Sequence, residues 1–465
     1  MATSGRRSGR ESLADRSRPE GGAPGRPVGR CGRWARAGSP PERPAPPAPP
    51  NRAGAPRVPA LLGSALLVLA GLGCSPAHKS GPTDPTASAG PSPSSSGPAH
   101  ALPSGSARTA SPPATVVRAA CEAPLPESWR SALAAGEFRA PAGQRAVLTE
   151  VGPRARWTVV QLSDGRSRRA AVVEAAEAPR TLLTFTDPVE HQLLAADVSA
   201  DGRWTAFAVL EGRTLDSPWS LYVQDAQGGM RRLARSTLPG PLPQPVVRNG
   251  SVFWAQGTGK GRATIFSSPV RRPGSGNRAP SPRALHSGVL DAPFAAGGLL
   301  VWREASADGR STRLSALSFA TLRPAGLPGP LAALRDLRSP ASDGTTWAWI
   351  EDGGDGGEPR LVVWRQGEPS PVARLTGAPA AEGLDQLRIS GELITWRTPE
   401  AAYALDLRTS AYTRITPQYG YAQARAGTLA VAYNRDREKG PGARSVIQVV
   451  RADRLPRLAQ PRDCG

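Results

Sequence analysis

From about residue 140 onward the chain alternates short apolar runs with turn residues, and one kind of run returns at a nearly fixed interval. It has an aromatic centre: WTAFAVLEG around Phe207, SVFWAQG around Trp254, LLVWREA around Trp302, TTWAWIEDG around Trp349, ELITWRTP around Trp396 and TLAVAYNRD around Tyr433. Successive aromatics stand 47, 48, 47, 47 and 37 residues apart. A glycine precedes each of them (Gly202, Gly250, Gly298, Gly344, Gly391, Gly427), several following Asp, Asn or a second Gly. Such dipeptides suit tight hairpins because they tolerate positive φ. Behind each aromatic run comes a second β-rich run, as in SLYVQDAQGG, ATIFSSPV, RLSALSFA, RLVVWRQG, AYALDLRT and SVIQVVRA, and then a shorter third, as in MRRLARS, SPVARLTG and YTRITPQ. Alternation such as S-L-Y-V-Q-D places apolar side chains on one face at period two, which is a strand pattern. Helical period is confined to SWRSALAAGEF at 128–138.

With the stretch before each turn, a unit supplies four short strands. Residues 144–184 add a further set (AVLTEV, RWTVVQLSDG, RRAAVVEA, RTLLTF), with Trp157 standing 50 residues before Phe207. Units of this kind cannot bury their faces alone and must stack on their neighbours. The fold class expected is all-β: a β-propeller of seven blades, each a four-stranded antiparallel sheet, occupying residues 119–465. Six blades is the alternative, because the first unit is the weakest. The 51 glycines and 50 prolines fit a chain so rich in turns.

The unit VSADGRWTAFAVLEG…WSLYVQDAQGGMRRLA at 198–235 resembles the repeat of the TolB-type periplasmic propellers, which read roughly SPDGxxIAF…IYVMDxDGGxxRxLT. Other units keep the spacing and the aromatic but lose the Ser-Pro-Asp-Gly turn, as in PVVRNGSVFWAQ and PFAAGGLLVWRE. The resemblance implies the propeller architecture and protein partners in the cell envelope. It carries over no catalytic residue, because the repeat motif is structural.

Ahead of the repeats lies a different chain. Residues 58–73 hold an apolar run (LLGSALLVLAGLG from Leu61) with Arg52 and Arg57 in front and Cys74 behind. The run is shorter than the ~20 apolar residues of a bilayer span, so it reads as the hydrophobic region of an export signal. Ending on Gly-Cys, it resembles the lipobox of bacterial lipoproteins, although Leu72 sits one position nearer the cysteine than that family's leucine, with Gly71 in its place. The resemblance implies lipidation of Cys74 and acylation of the new N-terminus, the two or more chains that stable anchoring requires. A plain secretory signal and a retained anchor are the alternatives. Residues 1–57 are a basic Pro/Arg-rich leader expected to be disordered, either a start assigned too early or a cytoplasmic extension. Residues 74–118 are a Ser/Pro/Gly-rich tether.

Four cysteines are present. Setting aside Cys31 in the leader and Cys74 leaves Cys121 and Cys464, which bracket the whole body. In an oxidising compartment these two are disulfide candidates. A bridge across 343 residues is worth on the order of 5 kcal/mol in the entropic account, and it requires the two ends of a closed ring to meet.

The formal charge of +20 changes little once it is located. The leader carries a net +8 in its first 60 residues, and the rest is spread thinly, without a helix-turn-helix, a zinc motif or an aromatic-interleaved basic stripe. Nucleic acid is therefore not expected as a partner. Of four histidines, His78 and His100 fall in the tether, and only His191 and His286 in the body. No G-x-S-x-G, H-E-x-x-H or paired-cysteine motif occurs, so no catalytic residue, cofactor or metal ligand is assigned. GTGKG at 257–261 lacks the Ser or Thr and the helix of a phosphate loop. EDGGDGGE at 351–358 has oxygen ligands at calcium-like spacing but reads as a hairpin loop, and the recurrent tryptophans read as core rather than sugar platforms. The function expected is that of an exported, lipid-anchored, monomeric propeller. It would bind a protein or envelope polymer without catalysis. The alternative is a hydrolytic or carbohydrate-active propeller using carboxylates around its channel.

Overall fold

A computed structural model describes residues 118–461 apart from 175–176, 271–280, 354–356, 376–384 and 436–444. The leader, the signal run, Cys74, the tether and Cys464 all lie outside the described residues. Among those described, strands form seven sheets, so seven blades replace the six-bladed alternative. The first described strands are β1 (Arg118–Ala119) and β2 (Cys121–Glu122), followed by helix α1 (Glu127–Ala135) and β3 (Glu137–Phe138).

Blade 1 is β4 (Arg145–Val151), β5 (Trp157–Ser163), β6 (Arg168–Glu174) and β7 (Arg180–Thr184). Blade 2 is β8 (His191–Val198), β9 (Trp204–Glu211), β10 (Trp219–Asp225) and β11 (Met230–Ser236). Blade 3 is β12 (Val246–Arg248), β13 (Ser251–Gly259), β14 (Arg262–Pro269) and β15 (Arg283–Gly288). Blade 4 is β16 (Phe294–Ala296), β17 (Leu299–Ala305) and β18 (Thr312–Ser318); in place of a fourth strand its edge has an isolated bridge from Leu317 to Pro324, followed by the short helix α2 (Gly329–Ala333). Blade 5 is β19 (Arg338–Ser342), β20 (Thr346–Gly353), β21 (Gly357–Arg365) and β22 (Ala373–Leu375). Blade 6 is β23 (Asp385–Ser390), β24 (Leu393–Arg397), β25 (Ala402–Asp406) and β26 (Ala411–Arg414). Blade 7 has three strands of its own: β27 (Gly420–Arg425), β28 (Thr428–Asn434) and β29 (Ser445–Arg451).

The missing fourth strand of blade 7 is β3, taken from the start of the body and paired antiparallel with β29. The same N-terminal stretch also adds β1 in parallel to β22 and β2 in parallel to β26. Residues 118–138 thus run along the outer edges of blades 5, 6 and 7, covering backbone groups that an edge strand leaves unpaired.

Seven buried apolar clusters fill the gaps between neighbouring blades, one to each gap. This explains the aromatic beat. Phe207, Trp254, Trp302, Trp349 and Trp396 all lie on the second strand of their blade and face the blade before it. Because a strand turns alternate side chains to opposite faces, each second strand is buried on both sides and reads as an unbroken apolar run. Blade 1 departs from the expectation at one position. Trp157 faces blade 2, and the residue facing blade 7 is Val160, which stands 47 residues before Phe207 and so restores the period with an aliphatic side chain.

Two turn glycines are required by close contact. Gly202 (φ +75°) lies against the Trp157 indole, where a Cβ would come within 2.2 Å of Cζ2. Gly344 (φ +104°) meets Gly297 of the next turn, its Cβ position being only 2.6 Å from the Gly297 Cα. These turns join the first and second strands of successive blades, and they bond to one another. Arg154 N–H donates to Ala426 O (2.9 Å), Gly427 N–H to Ser390 Oγ (2.6 Å) and Gly391 N–H to Asp343 Oδ2 (2.8 Å). One end of the central channel is therefore ringed by interlocked turns.

Candidate functional site

The channel wall is built from the first strand of each blade, and its most ordered part is where blade 7 meets blade 1. On β27, Ala422 and Ala424 pack toward blade 6, so the alternate residues Tyr421, Gln423 and Arg425 face blade 1. Opposite them β4 carries a register shift between Leu148 and Glu150, which leaves Thr149 out of the ladder with β5. The Tyr421 hydroxyl donates to Leu148 O, Gln423 Nε2 donates to Thr149 O (3.0 Å), and Arg425 pairs with Glu150 (3.1 Å). Arg425 also pairs with Asp197 of β8, whose second oxygen accepts the Val247 N–H of β12 at 2.7 Å.

One guanidinium therefore connects blades 7, 1 and 2 directly, and blade 3 through Asp197. Burial opposes the charged form of Arg425, but Asp197 and Glu150 more than offset it and hold the group protonated well above the ordinary arginine range. Burial likewise raises the Tyr421 phenol above its usual range, so it is a neutral donor at any working pH.

Beside this ladder, toward the opposite end of the channel, a shallow apolar cleft, partly open to solvent, lies between the first and last blades. Leu148, Tyr419, Tyr421, Tyr433, Asn434 and Ile447 line it. Arg397 on β24, only 6% exposed, donates to the Tyr419 hydroxyl (3.0 Å) with its guanidinium 5.5 Å from the Tyr419 ring centroid. Its apolar walls and fixed polar rim form a shallow surface rather than an enclosed pocket.

The residues singled out from the sequence are placed as follows. Cys74 and Cys464 lie outside the described residues. Cys121 opens β2 and is disulfide-bonded. His191 begins β8 near the Thr186 hydroxyl (3.4 Å). His286 of blade 3 contacts Glu304 of blade 4 at 2.8 Å, and Ser315 donates to the other oxygen of the same carboxylate at 3.1 Å. The carboxylate is thus the centre of that trio and the serine has no base. GTGKG is the end of β13 and its turn into β14, with Lys260 and Gly261 both at positive φ. In EDGGDGGE, Glu351 is paired with Arg360 (2.8 Å) and Asp352 with Arg338 (2.6 Å), while 354–356 lie outside the described residues. Trp254, Trp302, Trp349 and Trp396 are all buried, so they pack core and present no stacking surface.

Among the described residues no three His, Cys, Asp or Glu side chains group as a metal site, and no helix is long and apolar enough to cross a membrane. The network of Arg425, Glu150 and Asp197 was not anticipated, since its members are more than 200 residues apart along the chain in the case of Arg425 and Asp197. A trace of it is visible in GYAQAR, where large polar side chains alternate with alanine inside a strand that should be buried.

No family model matches the chain, and no curated protein matches it. Solved structures with a similar course include TolB from Acinetobacter baumannii (14% identity, TM-score 0.36, covering 58% of this chain and 62% of that one). Others are the β-propeller domain of the trilobed protease from Pyrococcus furiosus (8%, 0.45, 69% and 98%) and a prolyl endopeptidase (13%, 0.45, 65% and 46%). This chain thus spans less than two thirds of the TolB chain and less than half of the prolyl endopeptidase.

Proposed function

We propose that the protein is an exported propeller of the bacterial cell envelope, anchored by lipid at Cys74, that binds a protein or envelope polymer at its channel without catalysis. The observation that carries the non-catalytic reading is the use made of the channel carboxylates. Glu150 and Asp197 converge, as a hydrolytic pair would, but both are bound by Arg425, and Asp197 also accepts a backbone N–H. A general acid needs a proton to give and a general base a free lone pair aimed at substrate; neither carboxylate is so placed. The adjoining cleft supplies apolar surface with tyrosine and asparagine at its rim. Membership of the TolB-type propellers is part of the proposal, supported by the repeat at 198–235. Export is supported by the apolar run before Cys74 and by the oxidised state of Cys121.

Binding is tested by capture from envelope extracts beside a glycan panel, using the mature chain and an Asn434→Arg variant. A partner held by the first and lost by the second is expected; turnover of a glycan or peptide by the purified protein would overturn the reading. Two further outcomes test the address. Cys74→Ser should abolish incorporation of radiolabelled fatty acid, and undiminished labelling would end the anchor proposal. Cys121 and Cys464 should resist alkylation in the folded, unreduced protein and react once reduced; two freely reacting thiols would exclude a bridge between them.

A further inference from the structure

We propose that the middle of the channel binds an uncharged carbohydrate chain, recognised by hydroxyl and amide side chains on four consecutive blades, 5, 6, 7 and 1. The inference rests on the binding role proposed above and names the chemical class of its ligand. At the height where each second strand fills the gap to the previous blade, several first strands are irregular. Ser339 and Pro340 of β19 stand together opposite Trp349, and Gln386 and Leu387 of β23 stand together opposite Trp396. Thr149 of β4 is the extra residue beside Val160, which holds the same place in blade 1. Gln423 of β27 reaches that height as well, since its Nε2 donates to Thr149 O at 3.0 Å.

These four side chains are adjacent rather than dispersed. Strands β19, β23, β27 and β4 touch in that order, and β16 of blade 4, which carries Phe294, touches β19 on its other side. Both faces of an innermost strand are packed against blades, so solvent reaches the half-buried Ser339, Gln386 and Thr149 through the channel. None of these three side chains bonds another described residue, and the Gln423 Oε1 is buried without a partner. A buried acceptor left open costs free energy unless a ligand or water meets it. Ser339 (φ 47°) and Gln386 (φ 54°) also hold the left-handed backbone that residues other than glycine rarely adopt, and such strain collects at ligand clamps.

What the four offer is donors and acceptors without charge. Charged side chains toward the ring of turns are engaged by protein groups: Glu150 and Asp197 by Arg425, Asp343 by the N–H groups of Thr345, Thr346 and Gly391, and Arg388 by the Leu387 carbonyl. The rest of the wall at this height is apolar. Phe294 of blade 4, Val246 of blade 3 and Ala195 of blade 2 lie within one residue of the positions opposite Trp302, Trp254 and Phe207. A sugar ring has the same two sides, hydroxyls at its edge and a C–H face that packs on aromatic or aliphatic surface. An extended peptide would instead need an unbroken strand edge to pair with. The register shifts in β4, β8, β19 and β23 break that edge.

The test is titration calorimetry of the full mature protein with chitotetraose, cellotetraose and mannotetraose, each at low and at high salt. Saturable binding of at least one is expected, with the same affinity at both salt levels because no charge is used. Thr149→Val and Gln386→Ala should each weaken it roughly tenfold, the equivalent of one or two lost hydrogen bonds, and together abolish it. Arg310→Gln, on an exposed outer loop, should leave it unchanged. Should a variant fold poorly, the bound saccharide should still raise the thermal midpoint of the wild-type protein as its concentration rises. Absence of saturable binding by all three saccharides, affinity that falls with salt, or binding that survives the double substitution would overturn the inference. A protein captured equally by wild type and double variant, with no saccharide bound, would sink it while leaving the binding role standing.

Discussion

Replacing Arg425 with alanine is expected to cost about 3–5 kcal/mol of stability, the range found when one member of a buried ion pair is removed and the rest stay charged. The residue left behind would be a pair of carboxylates, Glu150 and Asp197, 9% and 3% exposed, facing each other without a counter-charge. The triple change Arg425→Met, Glu150→Gln, Asp197→Asn should recover most of the loss, because removing all the charge together avoids the uncompensated state. Denaturant melts of the three proteins decide it. If the single and triple variants lose the same amount, packing rather than charge holds the site. The sign with pH is also fixed. Arg425 is held protonated above its unfolded range, so its contribution is fully present below the ordinary arginine pKa and would fade only as pH rises beyond it. No alkaline loss from this group is expected at any pH where the protein is handled.

Trp129→Ala should be comparably damaging, at roughly 3–5 kcal/mol for a large aromatic removed from a core. The indole is fully buried, and its Nε1 donates to Pro456 O at 2.8 Å, so one side chain fastens helix α1 to the C-terminal segment. Around it lie Leu133, Ala411, Leu455 and Leu458, and the Leu458 N–H is in turn held by Asp406 at 3.0 Å. Trp129→Phe keeps most of the bulk and should cost far less, on the order of 1–2 kcal/mol including the hydrogen bond. Because α1 sits between β2 and β3, the alanine variant should also loosen the edge strands on blades 6 and 7. Hydrogen exchange at Ile447 and Gln448, which pair with β3, reports that directly. Unchanged protection there with an unchanged melt would mean that the N-terminal stretch is not what closes the ring.

The repeat was readable because it answers to a local rule. A second strand buried on both faces must be apolar throughout, and the residue filling the gap to the previous blade must be large, so the interval between blades is written as an interval between aromatics. The misplacement at blade 1 has the same cause. At blade 1 the gap is filled by Val160, and the eye goes to the nearby Trp157, whose ring instead packs on the next blade near Gly202. The turn SADGR at 199–203, the best match to the TolB-type repeat, folds through its own side chains, with Ser199 donating to Asp201 at 2.5 Å and accepting from Trp204 N–H at 3.0 Å. The same five residues at 306–310 make the same serine-to-aspartate bond, Ser306 to Asp308 at 2.6 Å, in a different loop.

The candidate site answers to no such rule. Arg425, Glu150 and Asp197 come from three blades, and the bulge that leaves Thr149 facing Gln423 depends on the register of two strands. Nor does any pattern announce that residues 118–138 pair with three different blades at the far end of the chain.

Strand period, turn chemistry and the spacing of bulky side chains were settled by the amino-acid order alone, since each depends on neighbours within a few residues and on which faces must leave water. Which polar groups meet in the channel, and which strands complete the last blade, were decided only when the ring closed. Closure brings together groups hundreds of residues apart, and the energy of a buried charge depends on what stands opposite it in space rather than beside it in the chain.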